Sequence, residues 1–320
     1  MHKIPIGVLG ASGYAGRQLC ALVAQHPQLS LVFATANAQR GEQLSLPGGN
    51  LTFIATEDAP LSDAALIFSS LPHGASAEWV ARAKSAGARV VDLSNDLRIG
   101  SPAASGNPYG LTEWQRDAVR GAQVVANPGC YPTSALMGLL PLLENDLIAP
   151  GALVSINAAS GVTGAGLSPR VDLLFGEVTE NFRAYGVGNT HRHLTEMRAV
   201  AASLRADVDL LFTPHLLPVA RGILSTITVP LRAPLADLLG PWRARFANEP
   251  FVELTDALPE LRHVTHRNVV RIAVRAVEHV RTPTIQIFSA IDNLMKGAAG
   301  QALQNANLML GLTETLGLPA

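Results

Sequence analysis

The chain is short of cysteine, of charge and of long apolar runs. Its two cysteines, Cys20 and Cys130, stand at unrelated positions in 320 residues, which excludes a disulfide framework and a cysteine-spaced metal site. Charged residues make up 15% of the chain and nearly cancel, to a net charge of −1, so no basic surface for nucleic acid or an anionic membrane is expected. No apolar run is long enough to span a bilayer. No cleavable signal precedes the first strand-like segment, and no repeat or low-complexity stretch interrupts the chain. A protein of a reducing compartment, hence cytoplasmic, is the expectation. Hydrophobic residues reach 48%, enough for a sizeable core in one large or two ordinary domains.

One of the two cysteines sits in the most informative stretch, Asn127-Pro128-Gly129-Cys130-Tyr131-Pro132-Thr133. Leu136, Leu139, Leu140 and Leu143 recur at helical spacing and predict a helix over 133–143. Val124-Val125 centres a short buried strand over 122–126, and Pro128-Gly129 marks a tight turn. Cys130 thus falls just before a helix N-terminus, where unpaired N–H groups and the macrodipole favour an anion. A thiolate is such an anion, so Cys130 reads as a nucleophile. The plainer reading of an unpaired cysteine is a small buried hydrophobe. It suits Cys20, inside the apolar run Leu19-Cys20-Ala21-Leu22-Val23.

The chain opens with a strand over 4–9, then Gly10-Ala11-Ser12-Gly13-Tyr14-Ala15-Gly16, then a helix over 17–26. Glycines three apart between a strand and a helix are a variant of the dinucleotide fingerprint: small residues let the backbone approach a diphosphate at a helix N-terminus. Gly10, Ser12, Gly13, Tyr14 and Gly16 are therefore candidate cofactor ligands. No acid follows the second strand, over 29–34, where NAD-preferring sites often carry one. Arg40 stands nearby and favours the 2′-phosphate of NADP; a solvated loop cation is the alternative. A strand over 64–70, a helix over 77–86 and a strand over 89–93 continue a β-α-β alternation, which implies a Rossmann-type, doubly wound parallel sheet. His73-Gly74 and Ser94 to Arg98 fall at strand ends, and Arg98 is a candidate anion clamp. The stretch 100–110 reads as irregular and surface-lying.

After Pro150-Gly151 the pattern changes. A strand over 152–158 leads into Ser160-Gly161-Val162-Thr163-Gly164-Ala165-Gly166, a hydroxyl-bearing loop able to cover a ligand. His191-Arg192-His193-Leu194-Thr195-Glu196 opens a helix over 194–204, which places His193 and Glu196 on one face. A metal site, a solvated helix start and an acid–base site all fit that cluster; nothing completes a metal ligand set, and imidazole works near neutral pH, so acid–base chemistry with no metal is favoured. Strands over 210–213, 222–229, 269–274 and 284–290, with one helix over 235–247, predict an α+β substrate domain with a mainly antiparallel sheet. Arg221 is a second candidate anion clamp, with a surface ion pair as the alternative. A helix over 297–310 closes the chain.

Together these stretches resemble one family. The matches are Gly7 to Gly16, Leu71 to Gly74, Asp92 to Arg98, Asn127 to Thr133, Ser160 to Gly166, His191-Arg192-His193, Phe212 to Leu216, Arg221 to Leu224 and Ala290 to Ala302. They resemble the N-acetyl-γ-glutamyl-phosphate reductases of arginine biosynthesis and, more distantly, aspartate-semialdehyde dehydrogenase and other acyl-phosphate reductases. The resemblance implies an NADPH-dependent oxidoreductase in which Cys130 displaces phosphate from an acyl phosphate and forms a thioester, which hydride then reduces to a semialdehyde. It implies His193 as acid–base, His191 as the less favoured candidate, and Glu196 as orienting the imidazole or touching substrate. Ser160, Gly161 and Asn293, in the matching stretches, would join the cofactor site; Asn127 would join Arg98 and Arg221 around the substrate. The family architecture implies a cofactor domain of 1–129 plus 298–320, a catalytic and oligomerisation domain of 130–297, and a homodimer or homotetramer.

The chain departs from the family pattern at Ala159, where a lysine is common, at Leu167, where an arginine is common, around Ser101 to Gly106, which is shorter, and at Leu97 in Asn95-Asp96-Leu97-Arg98. These departures bear on substrate contacts. A lysine-pathway reductase acting on a carrier-bound aminoadipyl phosphate would lack the Pro-Gly-Cys-Tyr-Pro setting and carry extra basic surface. A catalytically silent NADP-binding regulator would have lost Cys130 or the histidine pair.

Overall fold

The computed structural model describes residues 2–104 and 106–320. The chain divides into two compact units: Met1–Pro128 with Ala298–Pro319, and Gly129–Gly297.

The first unit begins with β1 (Ile4–Leu9), α1 (Tyr14–Gln25) and β2 (Leu29–Ala34). A short hairpin, β3 (Gln43–Leu46) and β4 (Gly49–Thr52), precedes β5 (Leu66–Ser69), α2 (Ser76–Ser85), β6 (Arg89–Asp92), α3 (Thr112–Arg120) and β7 (Val124–Ala126). The five main strands form a sheet in the order β2-β1-β5-β6-β7, with every pairing parallel. Parallel strands are buried on both faces and so read as continuous apolar runs: Leu66–Ser69 and Val124–Ala126 are buried at every position. The hairpin and α3 were not legible in the local pattern. Helix α3 carries a kink at Gln115, and only Thr112, Glu113 and Val119 of it are buried.

The second unit begins with α4 (Cys130–Glu144) and β8 (Ala152–Gly161). Then come α5 (Phe175–Val178), β9 (Arg183–Ala184), α6 (His193–Ser203), β10 (Val208–Leu217), β11 (Ile223–Pro230), α7 (Gly240–Phe246), β12 (Val252–Leu254), β13 (Val270–Ala276) and β14 (Thr284–Ile291). Its sheet runs β12-β13-β14-β11-β8-β10-β9. Only β12–β13 and β8–β10 are parallel, so the sheet is mostly antiparallel. Helix α4 is buried from Tyr131 through Leu143, as its apolar composition on all sides demands. It lies close on the sheet because small residues face it. A Cβ on Gly138 would stand 3.1 Å from Ile227, and Ser134 Oγ meets Ser225 Oγ at 2.8 Å. Helix α8 (Gly300–Met309), reached through a π-helical turn at Met295–Ala299, returns to the first unit.

Several boundaries differ from the sequence pattern for identifiable reasons. Strand β10 runs through Pro214, which lacks a ladder donor. It is tolerated because two-residue β9 pairs only with His215 and Leu216 on that side. Helix α7 starts at Gly240, later than expected, with Pro241 at its start. The stretch 100–110 is not all surface: Tyr109 is buried and bridges to Ala126. Ser105, within the shortened Ser101–Gly106 stretch, lies outside the described residues. Among the described residues, no helix is long and apolar enough to cross a membrane.

Candidate active site and cofactor cradle

The glycine-rich turn between β1 and α1 is built for close backbone approach. Gly10 holds φ +73°, and a Cβ there would stand 2.5 Å from the Ser70 carbonyl oxygen. A Cβ on Gly16 would stand 2.5 Å from the Gly10 carbonyl. Gly13 differs: it is the N-cap of α1, and a Cβ there would meet nothing within 4 Å. Among the described residues no side chain caps that helix. An uncapped first turn with open space before it fits a diphosphate, whose charge the amides and macrodipole favour. Ser12 and Tyr14 flank Gly13, and the Ser12 carbonyl accepts from Arg17 Nε at 2.8 Å. Arg40 is exposed in the turn after β2. These residues fit a dinucleotide.

The loops after β5 and β6 are tied to each other. Asp96 accepts from the backbone N–H groups of Gly74, Ser76 and Ala77 at 2.8, 3.0 and 3.2 Å, which caps α2. His73 Nδ1 accepts from the Asn95 N–H at 2.8 Å. Fully buried Asp92 accepts from Ser76 Oγ and Ser94 Oγ at 2.6 and 2.7 Å. Burial holds its carboxyl above the usual range, against the pull of those two hydroxyls.

Two residues expected around the substrate are used inside this first unit. Buried Arg98 donates from Nε to the Asn127 carbonyl at 2.8 Å and from Nη2 to the Leu93 carbonyl at 2.6 Å. Asn127 donates from Nδ2 to the Ala298 carbonyl at 3.2 Å and accepts from Asn305 Nδ2 at 3.0 Å. Both ends of its amide are satisfied by protein, so a substrate would have to displace them. As placed, Arg98 and Asn127 hold backbone segments of this unit together.

In the second unit, Cys130 is the first residue of α4, with Gly129 as N-cap. Fully buried Cys20, by contrast, has its thiol pushed up to about 12 by desolvation, which makes it an inert core residue. Cys130 lies in the wall of a cavity of about 430 Å³. Tyr131, Ser160, Gly161, Tyr185, His191, Arg192 and His193 line it as well. The His191 and His193 rings meet edge to face at 4.8 Å. His191 Nδ1 accepts the His193 backbone N–H at 3.2 Å, so the neutral ring carries its proton on Nε2. Burial, reinforced by the Arg192 charge, pushes the His191 imidazole down to about 4, so it is neutral at physiological pH. His193 opens α6 and is buried beside it.

Glu196 is buried one turn into α6. Its Oε2 accepts the Gly129 backbone N–H at 2.9 Å, across 67 residues of sequence. It thereby fixes the turn that presents Cys130. The Tyr131 hydroxyl donates to the His215 carbonyl at 3.2 Å and shares a 2.9 Å hydrogen bond with the Tyr185 hydroxyl. Burial pushes the Tyr185 hydroxyl up to about 12 and that of Tyr131 higher still; both are neutral donors. Gly297 is required nearby, because a Cβ there would stand 2.8 Å from Cys130 Cβ.

The Ser160 loop is braced from below. Gly161 approaches the Ala220 carbonyl so closely that a Cβ would stand 2.8 Å from it. Asn293, buried, accepts from the Gly222 N–H at 2.8 Å and donates from Nδ2 to Thr163 Oγ1 at 2.9 Å. Asn293 thus braces the loop from below. Arg221 pairs with fully buried Asp292 at 3.3 Å. That carboxylate also accepts from the N–H groups of His266, Leu294 and Met295 at 2.7, 2.8 and 3.1 Å. Reasoning from sequence missed Tyr131, Tyr185, Arg170, Asp172 and Arg183 in this cavity; they carry no local signal apart from the tyrosine's place in the cysteine stretch.

The semialdehyde dehydrogenase NAD binding domain family matches residues 5–122, and the semialdehyde dehydrogenase dimerisation domain family matches residues 130–293. N-acetyl-gamma-glutamyl-phosphate reductase from Laribacter hongkongensis is 41% identical, with 98% of each chain covered. The protein of that name from Geobacter sulfurreducens is 42% identical, again over 98% of each chain. Among solved structures, aspartate semialdehyde dehydrogenase II from Vibrio cholerae, in complex with ASA, shares the fold at TM-score 0.79 and 19% identity, over 97% of this chain and 99% of that one. A probable aspartate-semialdehyde dehydrogenase from Pseudomonas aeruginosa does so at TM-score 0.78 and 21% identity, over the same shares. On the strength of that identity across nearly its whole length, the chain belongs to the N-acetyl-gamma-glutamyl-phosphate reductase family.

Proposed function

We propose that the protein reduces N-acetyl-γ-glutamyl phosphate to N-acetylglutamate 5-semialdehyde with NADPH, releasing phosphate, in arginine biosynthesis. Cys130 Sγ attacks the acyl carbon; the bond to the phosphate oxygen breaks and phosphate leaves with that electron pair, so a thioester remains on Cys130. The nicotinamide, when bound, would supply hydride to the thioester carbon; the C–S bond then breaks, releasing the semialdehyde and returning Cys130 as the thiolate. His193 accepts the thiol proton and holds it beside the oxygen that gains charge. His191, neutral, accepts the His193 backbone N–H and orients the start of α6. Glu196 positions the Gly129–Cys130 turn. Gly10, Ser12, Gly13, Tyr14 and Gly16 hold the diphosphate, and Arg40 takes the 2′-phosphate. Ser160 and Gly161 cover the cavity.

The observation that carries this reading is the placement of Cys130 at the first position of α4, in one cavity with both histidines, on a turn held by a buried carboxylate. The 130–297 unit would serve as the assembly surface of a homodimer or homotetramer. Thiol chemistry requires a reducing compartment, and we place the protein in the cytoplasm.

The test runs the reaction backwards. N-acetylglutamate semialdehyde, phosphate and NADP are mixed with the protein and NADPH absorbance is followed, with NAD and the aminoadipate analogue in parallel. Phosphate-dependent NADPH formation with the glutamate substrate is expected. Signal only with the longer analogue, or none with either, would overturn the reading.

A further inference from the structure

An acyl phosphate of N-acetylglutamate is anionic at both ends: a phosphate at the reacting carbon and a carboxylate at the amino-acid end. Arg98 and Arg221, the cations that local sequence offers for these charges, are engaged with backbone carbonyls and with Asp292. The cavity beside Cys130 has three other cations in its wall, Arg170, Arg183 and Arg192, and one acid, Asp172.

Two of the three are held in advance. Arg170 meets Asp172 side-on, Nε to Oδ1 at 3.0 Å and Nη2 to Oδ2 at 2.7 Å. Arg183 Nη2 donates to the Asp172 carbonyl at 2.6 Å and to Oδ2 at 3.2 Å. Asp172 thus fixes two guanidinium groups at once, with a net charge of +1 for the group. These bonds use Nε and Nη2 of Arg170 and Nη2 of Arg183. Nη1 of Arg170, and Nε and Nη1 of Arg183, remain to donate to a ligand. All three side chains keep considerable exposure. Exposed pairs of this kind contribute little to folding, so stability gives little reason to assemble them. A pre-held fork suits a planar carboxylate.

Position separates the two ends of the cavity. Arg192 adjoins His191 and His193, and both Arg192 and Cys130 act electrostatically on the Tyr185 hydroxyl. Cys130, Tyr185 and Arg192 therefore mark the end where phosphate is displaced. Arg183 stands in β9 and Tyr185 just past its end, two residues on, where the Tyr185 N–H still meets the Pro214 carbonyl of the neighbouring strand at 3.0 Å; two extended residues span about 7 Å. That separation is of the order of a five-carbon amino acid from its reacting carbon to its carboxylate. Leu173 and Leu216 line the wall with them and suit a methylene chain.

We propose that Arg170 and Arg183, held by Asp172, form the subsite that reads the carboxylate of the substrate's amino-acid end, with Asp172 as a positioning residue. The proposal rests on the reductase reading above and adds which charge selects the substrate.

The experiment uses the full chain and the reverse assay. KM is measured separately for N-acetylglutamate semialdehyde and for phosphate, and 4-acetamidobutanal, which lacks the carboxylate, is run as a competing substrate. For Arg170→Leu and Arg183→Leu, the semialdehyde KM should rise on the order of 10- to 100-fold, as expected for lost charge-assisted hydrogen bonds. The phosphate KM should stay unchanged, and preference for the semialdehyde over 4-acetamidobutanal should fall by the same factor. Asp172→Asn should give a smaller rise in the same KM. Arg170→Lys, which retains charge without the fork and serves if the leucine variants fail to fold, should fall between wild type and Arg170→Leu. Melting temperatures should match wild type. A rise confined to the phosphate KM, or an unchanged preference, would overturn this inference alone. An inactive wild type would overturn the reductase reading, and this inference with it.

Discussion

Helices α1 and α4 begin alike: each follows a strand of the first unit's parallel sheet across a turn that ends in an N-cap glycine. Gly13 holds φ −72°, ψ 168° and Gly129 holds φ −69°, ψ 154°. Neither glycine brings a capping side chain, so both helices present a positive N-terminal end. What each turn adds to that end differs. Before α1 there is open space, flanked by glycines at Gly10 and Gly16 that admit no Cβ; the terminus suits a charge brought by a ligand. At α4 the first residue is Cys130 itself, and Glu196 takes the Gly129 N–H; the terminus serves a charge on the protein. The same backbone geometry suits binding in one place and nucleophile presentation in the other, depending on what occupies the first helical position.

The largest separation of the two termini comes from Cys130→Ala. Turnover in the reverse assay should fall at least about 10³-fold, while NADPH affinity, measured by fluorescence titration, should stay within about twofold. Substantial residual turnover would break the covalent role. The next test divides the glycines of the first terminus. Gly10→Ala places a Cβ against the Ser70 carbonyl at a positive φ and should cost roughly 2–4 kcal/mol in urea denaturation. Gly13→Ala meets nothing, so its stability should change by no more than about 0.5 kcal/mol, yet cofactor affinity should fall. Equal stability losses at both positions would contradict the open-cradle description.

Glu196→Ala tests the second terminus. It removes the acceptor of the Gly129 N–H and should cost about 1–3 kcal/mol, with a lower kcat. Glu196→Gln retains an acceptor oxygen and should lose less stability. Equal losses would mean that the bond to Gly129 is not what Glu196 contributes. A further test concerns pH. The His191 imidazole sits at about 4 in the folded protein against an ordinary 6.5. Between those values the unfolded chain binds a proton that the folded chain refuses, so this contribution is complete above pH 6.5 and is lost as pH falls toward 4. His191→Gln should flatten that part of the urea-midpoint profile between pH 7 and pH 4.5. An unchanged slope would show that another group carries it.

Much of the fold was legible because its elements carry their own period. Strands β1 and β2 fall at Ile4–Leu9 and Leu29–Ala34 as expected, and α2 lies within one residue of its expected bounds. The hairpin β3–β4 has mostly exposed, mixed residues, and α3 buries only three positions; without a buried face there is no period to read. The cysteine stretch was legible for a different reason: its turn chemistry and helix start are local, and the structure moves the helix start only as far as Cys130 itself.

Sequence by itself determined the order of the main periodic strands and helices, the glycine-lined turn and the position of Cys130 at a helix start, because each depends on residues within a few positions of one another. Tertiary structure alone decided the partners of the polar side chains. Arg98, Asn127 and Asn293 have the composition of ligand-binding loops, yet their donors and acceptors meet buried backbone or side-chain groups. Glu196 finds Gly129 across 67 residues. An arginine, asparagine or glutamate in a loop carries the same local pattern whether it faces a ligand or an internal carbonyl. Only the packed chain, where a buried polar group left without a partner costs about 1–3 kcal/mol, chooses between them.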